Sequence, residues 1–259
     1  MPRSSADGQK RRLILAKLLE DHENVSTSEL ASQLDVSEMT VRRDLKQLQK
    51  EGIALPCYGG AMVARRITFE FDFEEHRRSH LVEKQRIGKA AVEEIEPGQT
   101  IFLDTGTTTL ELARVLANLS MELTVVTASL VIASELWARG NTRLQLLGGQ
   151  VRGGNPDLAG PLTELMLEKI TADVAFLGSD GVSASRGSFA GDLETARIAE
   201  RMVACADRAV VVCDSSKLGR NGPVRYAVLS DIDLLITDKK VNRNVARQLT
   251  SRGLKIKKV

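Results

Sequence analysis

The sequence contains no long hydrophobic run. No window approaches the ~18 consecutive apolar residues that indicate a membrane-spanning helix. The basic residues near the N-terminus are also not followed by the apolar stretch of a secretion signal. This pattern predicts a cytoplasmic protein without a membrane partner.

Cysteine and histidine are scarce. The three cysteines, Cys57, Cys205 and Cys213, have no paired spacing, which favours buried thiols in a reducing compartment over disulfides. His76 and His80 are four residues apart, but the sequence between them is not that of a His-Glu-x-x-His zinc motif. We therefore expect no metal site, and nothing in the sequence indicates a cofactor.

The charges are nearly balanced, with a formal net charge of +2. This balance excludes a protein that is basic over its whole surface, but it permits a local basic patch for nucleic acid. The 42% hydrophobic and 27% charged residues are ordinary for a globular protein, and 259 residues suffice for one or two domains.

The N-terminal region predicts a compact three-helix unit. Residues 10–21 show the periodicity of a first helix, and Ser26 or Thr27 can cap a second one. Leu30 and Leu34 lie four residues apart on the second helix, as on a core-facing stripe. Two helices joined by such short connections are typical of a helix-turn-helix.

The third helix is predicted to begin after Ser37 and to end before Gly52. Its apolar stripe is formed by Val41, Leu45 and Leu48, and the opposite face is basic. A solvated charged face is the ordinary interpretation, but the small unit with its capped second helix favours a recognition helix in double-stranded DNA. The residues predicted to bind operator DNA are Ser37, Met39, Thr40, Arg42, Arg43 and Lys46.

A hairpin and a linker are predicted to follow. Residues 53–63 have apolar arms around Gly59-Gly60, which indicates a β-hairpin wing, and Arg65 and Arg66 come next. Beyond them the chain is charged, with Phe69, Phe71 and Phe73 alternating as if docked on a domain. We predict a DNA-binding domain over residues 1–64, a linker over 65–82 and an effector-binding domain over 83–259.

Strands and helices alternate in the last of these regions, which predicts an α/β domain with a mostly parallel sheet covered by helices. The expected strands are 101–104, 123–127, 144–147, 174–178, 209–213 and 234–237. The expected helices are 82–95, 108–118, 130–139, 164–170, 194–206 and 242–252.

Polar residues gather where these strands end, which is where such sheets bind ligands. The first strand leads into Asp104, Thr105, Gly106, Thr107, Thr108 and Thr109. Hydroxyl groups and backbone N–H groups at a helix N-terminus bind anions, although a capped βα turn has the same composition. The later strand ends contribute Thr127, Ser129, Gly148, Gly149, Asp180, Gly181 and Lys217. Acids suit sugar hydroxyls and lysine suits phosphate, so together they favour a phosphorylated sugar.

These motifs resemble the DeoR family of bacterial transcriptional regulators. The matching segments are Val-Ser-x-x-Thr-Val-Arg-Arg-Asp-Leu in the third helix, Gly-Gly-Ala in the wing, Asp-x-Gly-Thr-Thr-Thr, Leu-Gly-Gly, Ala-Phe-Leu-Gly with Asp-Gly, and Asp-x-Ser-Lys. The resemblance runs in order from residue 11 to residue 238. It departs at Pro56 and Tyr58, where family members commonly carry Arg and His, so a contact between this wing and DNA is left open.

The resemblance implies a repressor of a carbohydrate-catabolic operon with a sensor domain like ribose-5-phosphate isomerase. In that fold the Asp-x-Gly-Thr-Thr loop holds phosphate, while Asp180 and Lys217 lie near the sugar. No catalytic residue is implied. The alternative is a sugar-phosphate isomerase fused to a DNA-binding head, in which Asp180 would act as the general base. Since operator symmetry mirrors protein symmetry, a homo-oligomer, dimer or tetramer, is expected.

Overall fold

The computed structural model describes residues 5–21, 25–50, 54–57, 60–63, 73, 75–137, 142–152 and 155–259. The chain forms two compact units, Met1–Asp72 and Phe73–Val259. Several predictions fall outside the described residues. They concern Gly52, Tyr58, Gly59, Arg65, Arg66, Phe69 and Phe71.

The N-terminal unit contains the predicted helices and hairpin. Its elements are α1 (Ser5–Asp21), β1 (Val25–Ser26), α2 (Thr27–Gln33), α3 (Glu38–Lys50), β2 (Ala54–Cys57) and β3 (Gly60–Val63). The three strands form an antiparallel sheet in the order β1-β3-β2, and β1 was not predicted. The predicted helix-turn-helix with a hairpin beside it is therefore confirmed.

Local capping determines where the helices of this unit begin. Ser26 caps α2 in a reciprocal capping box: its Oγ accepts from the backbone N–H of Glu29 at 3.2 Å, and Glu29 Oε2 accepts from the Ser26 N–H at 2.9 Å. Ser37 Oγ accepts from the Thr40 N–H at 3.3 Å and so caps α3. Each cap contributes about 1 kcal/mol. Between the helices, the core is formed around Leu15, Leu30, Val41 and Leu48. Each of these side chains is at most 1% exposed.

The larger unit is built on one parallel sheet. Its seven strands are ordered β15-β14-β12-β9-β4-β5-β6, and every neighbouring pair is parallel. They are β4 (Thr100–Leu103), β5 (Leu123–Thr127), β6 (Thr142–Leu146), β9 (Ala172–Leu177), β12 (Ala206–Val212), β14 (Leu234–Thr237) and β15 (Lys255–Lys258). The predicted parallel α/β sheet is confirmed, and the unpredicted β15 forms one edge.

The helices and two smaller sheets complete this unit. The helices are α4 (Leu81–Val92), α5 (Thr107–Leu116), α6 (Leu130–Leu136), α7 (Pro161–Leu167), α8 (Leu193–Ala204) and α9 (Arg243–Thr250). The short strands are β7 (Gln150–Val151), β8 (Leu158–Ala159), β10 (Gly181–Ser183), β11 (Gly187–Ala190) and β13 (Val224–Ala227). Strands β10, β11 and β13 form a small antiparallel sheet next to the end of β9. No helix in the described part of the chain is long and apolar enough to cross a membrane.

Apolar side chains fill both faces of the parallel sheet. Along β4, Ile101 and Leu103 point into one core cluster and Phe102 into the other, and all three are fully buried. This alternation is what a strand with period 2 produces when both faces are covered. Phe73, 8% exposed, packs in the same cluster as Ile87 of α4. One of the aromatic residues predicted to dock therefore does so.

The strand order reverses direction between β4 and β9. From β4 the chain proceeds to β5 and β6 on one side, whereas β9, β12, β14 and β15 follow one another on the other side. In open parallel sheets, ligands bind at the carboxyl ends of the strands next to such a switch point. We call this edge of the sheet the carboxyl edge.

Candidate DNA-binding and effector sites

The outer face of α3 is exposed and basic. Met39 is 81% exposed, and Arg43 and Lys46 are exposed, whereas Val41 on the opposite face is fully buried. Arg42 is also exposed and forms an ion pair with Glu38, with 3.3 Å between Arg42 Nη2 and Glu38 Oε2. A pair with both side chains this open contributes a few tenths of a kcal/mol, so DNA phosphate can replace it.

Asp44 is a structural residue of the helix-turn-helix unit that sequence reasoning missed. It is 2% exposed within the apolar stripe of α3, and its Oδ2 accepts from Arg11 Nε of α1 at 2.6 Å. Arg12 Nη1 lies 3.8 Å from the other carboxylate oxygen. The signal was its spacing: Asp44 follows Val41 by three residues and precedes Leu48 by four, so it faces the core. This ion pair ties α1 to α3.

At the switch point, Asp104 bridges two strand ends. It directly follows β4, and its Oδ2 accepts from the backbone N–H of Gly178, which follows β9, at 3.0 Å. The residue is 4% exposed, and its other oxygen, Oδ1, is buried without a hydrogen-bond partner among the described residues. Burial raises the pKa of Asp104 to about 6, although the N–H groups of Thr105 and Gly178 oppose this shift.

Residues Asp104–Thr109 form a loop that enters α5, and we call this candidate effector-binding segment the effector loop. Gly106 is the N-cap, and the Thr109 hydroxyl donates to the carbonyls of Asp104 and Gly106, both at 2.7 Å. Thr109 therefore fixes the shape of the loop. Thr105 and Thr107 are half-buried and Thr108 is 6% exposed. The first N–H groups of a helix lack partners within the helix, so this N-terminus can bind an anion.

Asp180 and Lys217 meet at the same edge. They follow β9 and β12 respectively, and Lys217 Nζ lies 3.4 Å from Asp180 Oδ1. The Lys217 side chain is 24% exposed and that of Asp180 is 43% exposed. A ligand can therefore reach an ammonium group and a carboxylate here, beyond the ends of β9 and β12, the two strands that come next to β4 in the sheet order.

The other predicted residues are held by internal bonds. The Thr127 hydroxyl donates to the Leu103 carbonyl at 2.7 Å, and Ser129 caps α6 by accepting from the Ile132 N–H at 3.2 Å. The Gly148 carbonyl accepts from the Thr163 hydroxyl at 2.8 Å. Gly149 and Gly181 are positions of close backbone approach. These residues build the carboxyl edge, and their contact with an effector stays a prediction.

Sequence reasoning also missed residues that support the switch point. The Tyr226 hydroxyl donates to the Gly178 carbonyl at 2.8 Å and accepts from the Ser188 hydroxyl at 2.8 Å. Asp238, which follows β14, accepts from the Ser215 N–H at 2.6 Å. Asp238 repeats the pattern of an acid at a strand end, so that pattern could have found it. Tyr226 and Ser188 lie on short strands that carry no such signal.

The buried Asp104 carboxyl predicts a dependence of stability on pH. Its pKa is raised by burial, so its ionised form disfavours folding, and stability falls as pH rises from about 4 through about 6. We expect Asp104→Asn to raise the unfolding free energy at pH 7 by up to about 3 kcal/mol and to flatten this dependence. Urea unfolding at several pH values measures this unfolding free energy. The exposed Asp207→Asn serves as the control, and an unchanged pH profile in Asp104→Asn would contradict the assignment.

Comparison with known proteins gives two family matches and close relatives. A model described as a DeoR-like helix-turn-helix domain matches residues 11–66, and one described as a DeoR C terminal sensor domain matches residues 79–239. The HTH-type transcriptional regulator GlpR of Haloferax volcanii is 34% identical over 96% of both chains. The glycerol-3-phosphate regulon repressor of Escherichia coli is 28% identical over 93% of this chain and 95% of its own.

Among solved structures, ribose 5-phosphate isomerase A from Methanocaldococcus jannaschii is similar to part of the fold. The TM-score is 0.41 at 21% identity, over 54% of this chain and 55% of that chain. Both relatives above are named as regulators of transcription. The alternative of a fused isomerase is therefore not retained.

Proposed function

The chain belongs to the DeoR family of transcriptional regulators, and on that premise we propose that it represses a carbohydrate-catabolic operon under the control of a phosphorylated sugar. The effector binds at the carboxyl edge of the larger unit, and the exposed face of α3 binds the operator. Effector binding shifts the balance between the DNA-bound and the free protein. Coupling of this kind requires that the effector has different affinities for the DNA-bound and free forms.

One observation carries the effector proposal: an anion-binding helix N-terminus and an unused carboxylate oxygen lie at one switch point. The N-terminus of α5 suits a phosphate group, and Lys217 adds positive charge. Asp104 Oδ1 is buried without a partner in the described part of the chain and can accept from a sugar hydroxyl. The name of the Escherichia coli relative, a glycerol-3-phosphate regulon repressor, supports an effector that carries both a phosphate group and hydroxyl groups.

The DNA proposal rests on the exposed face of α3. In this proposal Met39 and Thr40, near the N-terminus of α3, reach base edges, while Arg42, Arg43 and Lys46 supply phosphate contacts or bidentate guanine recognition. Ser37 adds a hydroxyl at the helix N-terminus. Because one head reads only a few base pairs, we propose that the protein acts as a homo-oligomer, dimer or tetramer, on a symmetric operator.

Replacement of Thr107 by valine, or of Lys217 by alanine, tests the effector site. Loss of one hydrogen bond to a charged group costs about 1.5–3 kcal/mol, so each variant should bind the effector roughly 10- to 100-fold more weakly. Isothermal titration calorimetry against a panel of phosphorylated sugars identifies the ligand and measures the change.

Matched controls for this experiment lie away from the carboxyl edge. Lys169 is exposed at the amino end of β9, and Thr124 is half-buried within β5. Lys169→Ala and Thr124→Val should bind like the unchanged protein. A panel without any binder would contradict the proposal, and so would a binder that is indifferent to both test variants.

A further inference from the structure

Lys84 of α4 is a buried lysine without an acidic partner. It is 5% exposed, and its ammonium donates to the backbone carbonyl of His76. In the described part of the chain no carboxylate forms an ion pair with it. Burial lowers the pKa of Lys84, while the more distant carboxylates of Asp214 and Glu111 partly oppose that shift. A buried ammonium normally has a counter-charge, because an unpaired one costs several kcal/mol.

The packing of α4 on α5 places Lys84 beside the effector loop. Glu83, at the start of α4, pairs with Lys240 beyond the end of β14, while Glu94, just after α4, pairs with Arg208 at the start of β12. Helix α4 therefore begins at the carboxyl edge. Helix α5 also begins there, since it follows the end of β4, so the two helices run parallel.

The level of Lys84 along α5 follows from a close contact between the helices. A Cβ atom on Gly88 would lie 2.7 Å from the backbone carbonyl carbon of Glu111 and 2.8 Å from the Leu112 N. One turn back from Gly88 is Lys84, and one turn back from Leu112 is Thr108. Lys84 is thus at the level of the N-terminus of α5, where the proposed effector places its phosphate.

The other end of the Lys84 bond is in the segment that precedes α4. His76 lies in a helical stretch, residues 75–78, and His80, with φ of 54°, connects it to α4. In the sequence this segment follows the region that joins the two units. Lys84 therefore contacts the entry to the larger unit while it lies next to the effector loop.

We propose that Lys84 binds the phosphate group of the effector while its ammonium, which has three hydrogens, keeps its bond to the His76 carbonyl. This inference rests on the proposed effector site. It adds Lys84 as the residue through which ligand binding at that site affects residues 75–80. A phosphate oxygen is a stronger acceptor for an ammonium than a neutral carbonyl, and more so in a buried site. A bound phosphate then holds the ammonium, and through it the His76 carbonyl, in place, so exchange of the segment with solvent slows.

The test uses the full chain, with inorganic phosphate as the probe and potassium chloride at equal ionic strength as the reference. Titration calorimetry measures phosphate affinity, and hydrogen–deuterium exchange measures the protection of residues 75–84. In the unchanged protein, phosphate should slow exchange in this segment. Lys84→Met should bind phosphate at least about 10-fold more weakly and lose the exchange response.

The control is Lys89→Met, since Lys89 is an exposed lysine on the same helix. It should keep both the affinity and the response. Lys84→Gln retains a polar side chain and serves as a second variant if methionine disturbs the packing. Thermal unfolding checks that both variants are folded. Unchanged phosphate affinity in folded Lys84 variants would overturn the inference, as would an exchange response that survives in them. Absence of phosphate binding by the unchanged protein would instead overturn the effector site itself, and this inference with it.

Discussion

Arg43→Ala is expected to weaken operator binding by roughly 5- to 100-fold, since one good base contact is worth about 1–3 kcal/mol. Arg43 is exposed on the face of α3 opposite the buried Val41, so its removal leaves the fold intact. Fluorescence anisotropy measures the affinity, with an operator selected from random-sequence DNA by the protein itself. A titration at several salt concentrations distinguishes a base contact from a phosphate contact. Loss of a phosphate contact lowers the slope of log affinity against log salt concentration by about 1.

The matched control for this variant is Arg252→Ala. Arg252 is exposed in the turn after α9, so its replacement removes the same charge from the larger unit. Operator affinity should change little in this control. If Arg43→Ala shows the affinity and the salt slope of the unchanged protein, α3 does not bind DNA through this face, and the assignment of the recognition helix is wrong.

Asp44→Ala is expected to destabilise the N-terminal unit by about 3 kcal/mol or more, because removal of one partner from a buried ion pair leaves the other charge buried and unpaired. The Arg11 side chain is 13% exposed and that of Asp44 is 3% exposed, so water cannot fully compensate the arginine. Hydrogen–deuterium exchange in α1 and α3 measures the local loss of stability. Operator binding should decline in parallel, because α3 loses its attachment to α1.

Glu38→Ala is the matched control for Asp44→Ala. It removes another carboxylate of α3, but one whose ion pair with Arg42 is exposed, with side chains 49% and 68% open. Its loss should cost about 0.5 kcal/mol or less. Equal exchange rates in the two variants would show that Asp44 contributes no more than a surface charge.

The main fold could be predicted because its signals are local. Alternating apolar strands and helical periodicity predicted β4, β5, β9, β12 and β14 of the parallel sheet. The small sheet of β10, β11 and β13 could not be predicted, because its strands are short and pair across distant parts of the chain. Strand β15 has the sequence Lys-Ile-Lys-Lys, whose charges give no apolar alternation.

The candidate effector site could be predicted as far as it consists of residues at strand ends. Asp104, Asp180 and Lys217 were found in this way, and the structure places them at one edge. Asp44 and Lys84 were missed because their partners are set by packing: Arg11 lies 33 residues from Asp44 in the sequence. In both cases the available signal was a charged residue within an apolar helical stripe.

The double hydrogen bond of the Thr109 hydroxyl has a consequence for kinetics. It ties the start of α5 to the carbonyls of Asp104 and Gly106, so less conformational entropy of this loop is lost when a ligand binds. Association with a ligand should then be fast, and differences in affinity between ligands should lie mainly in the rate of dissociation.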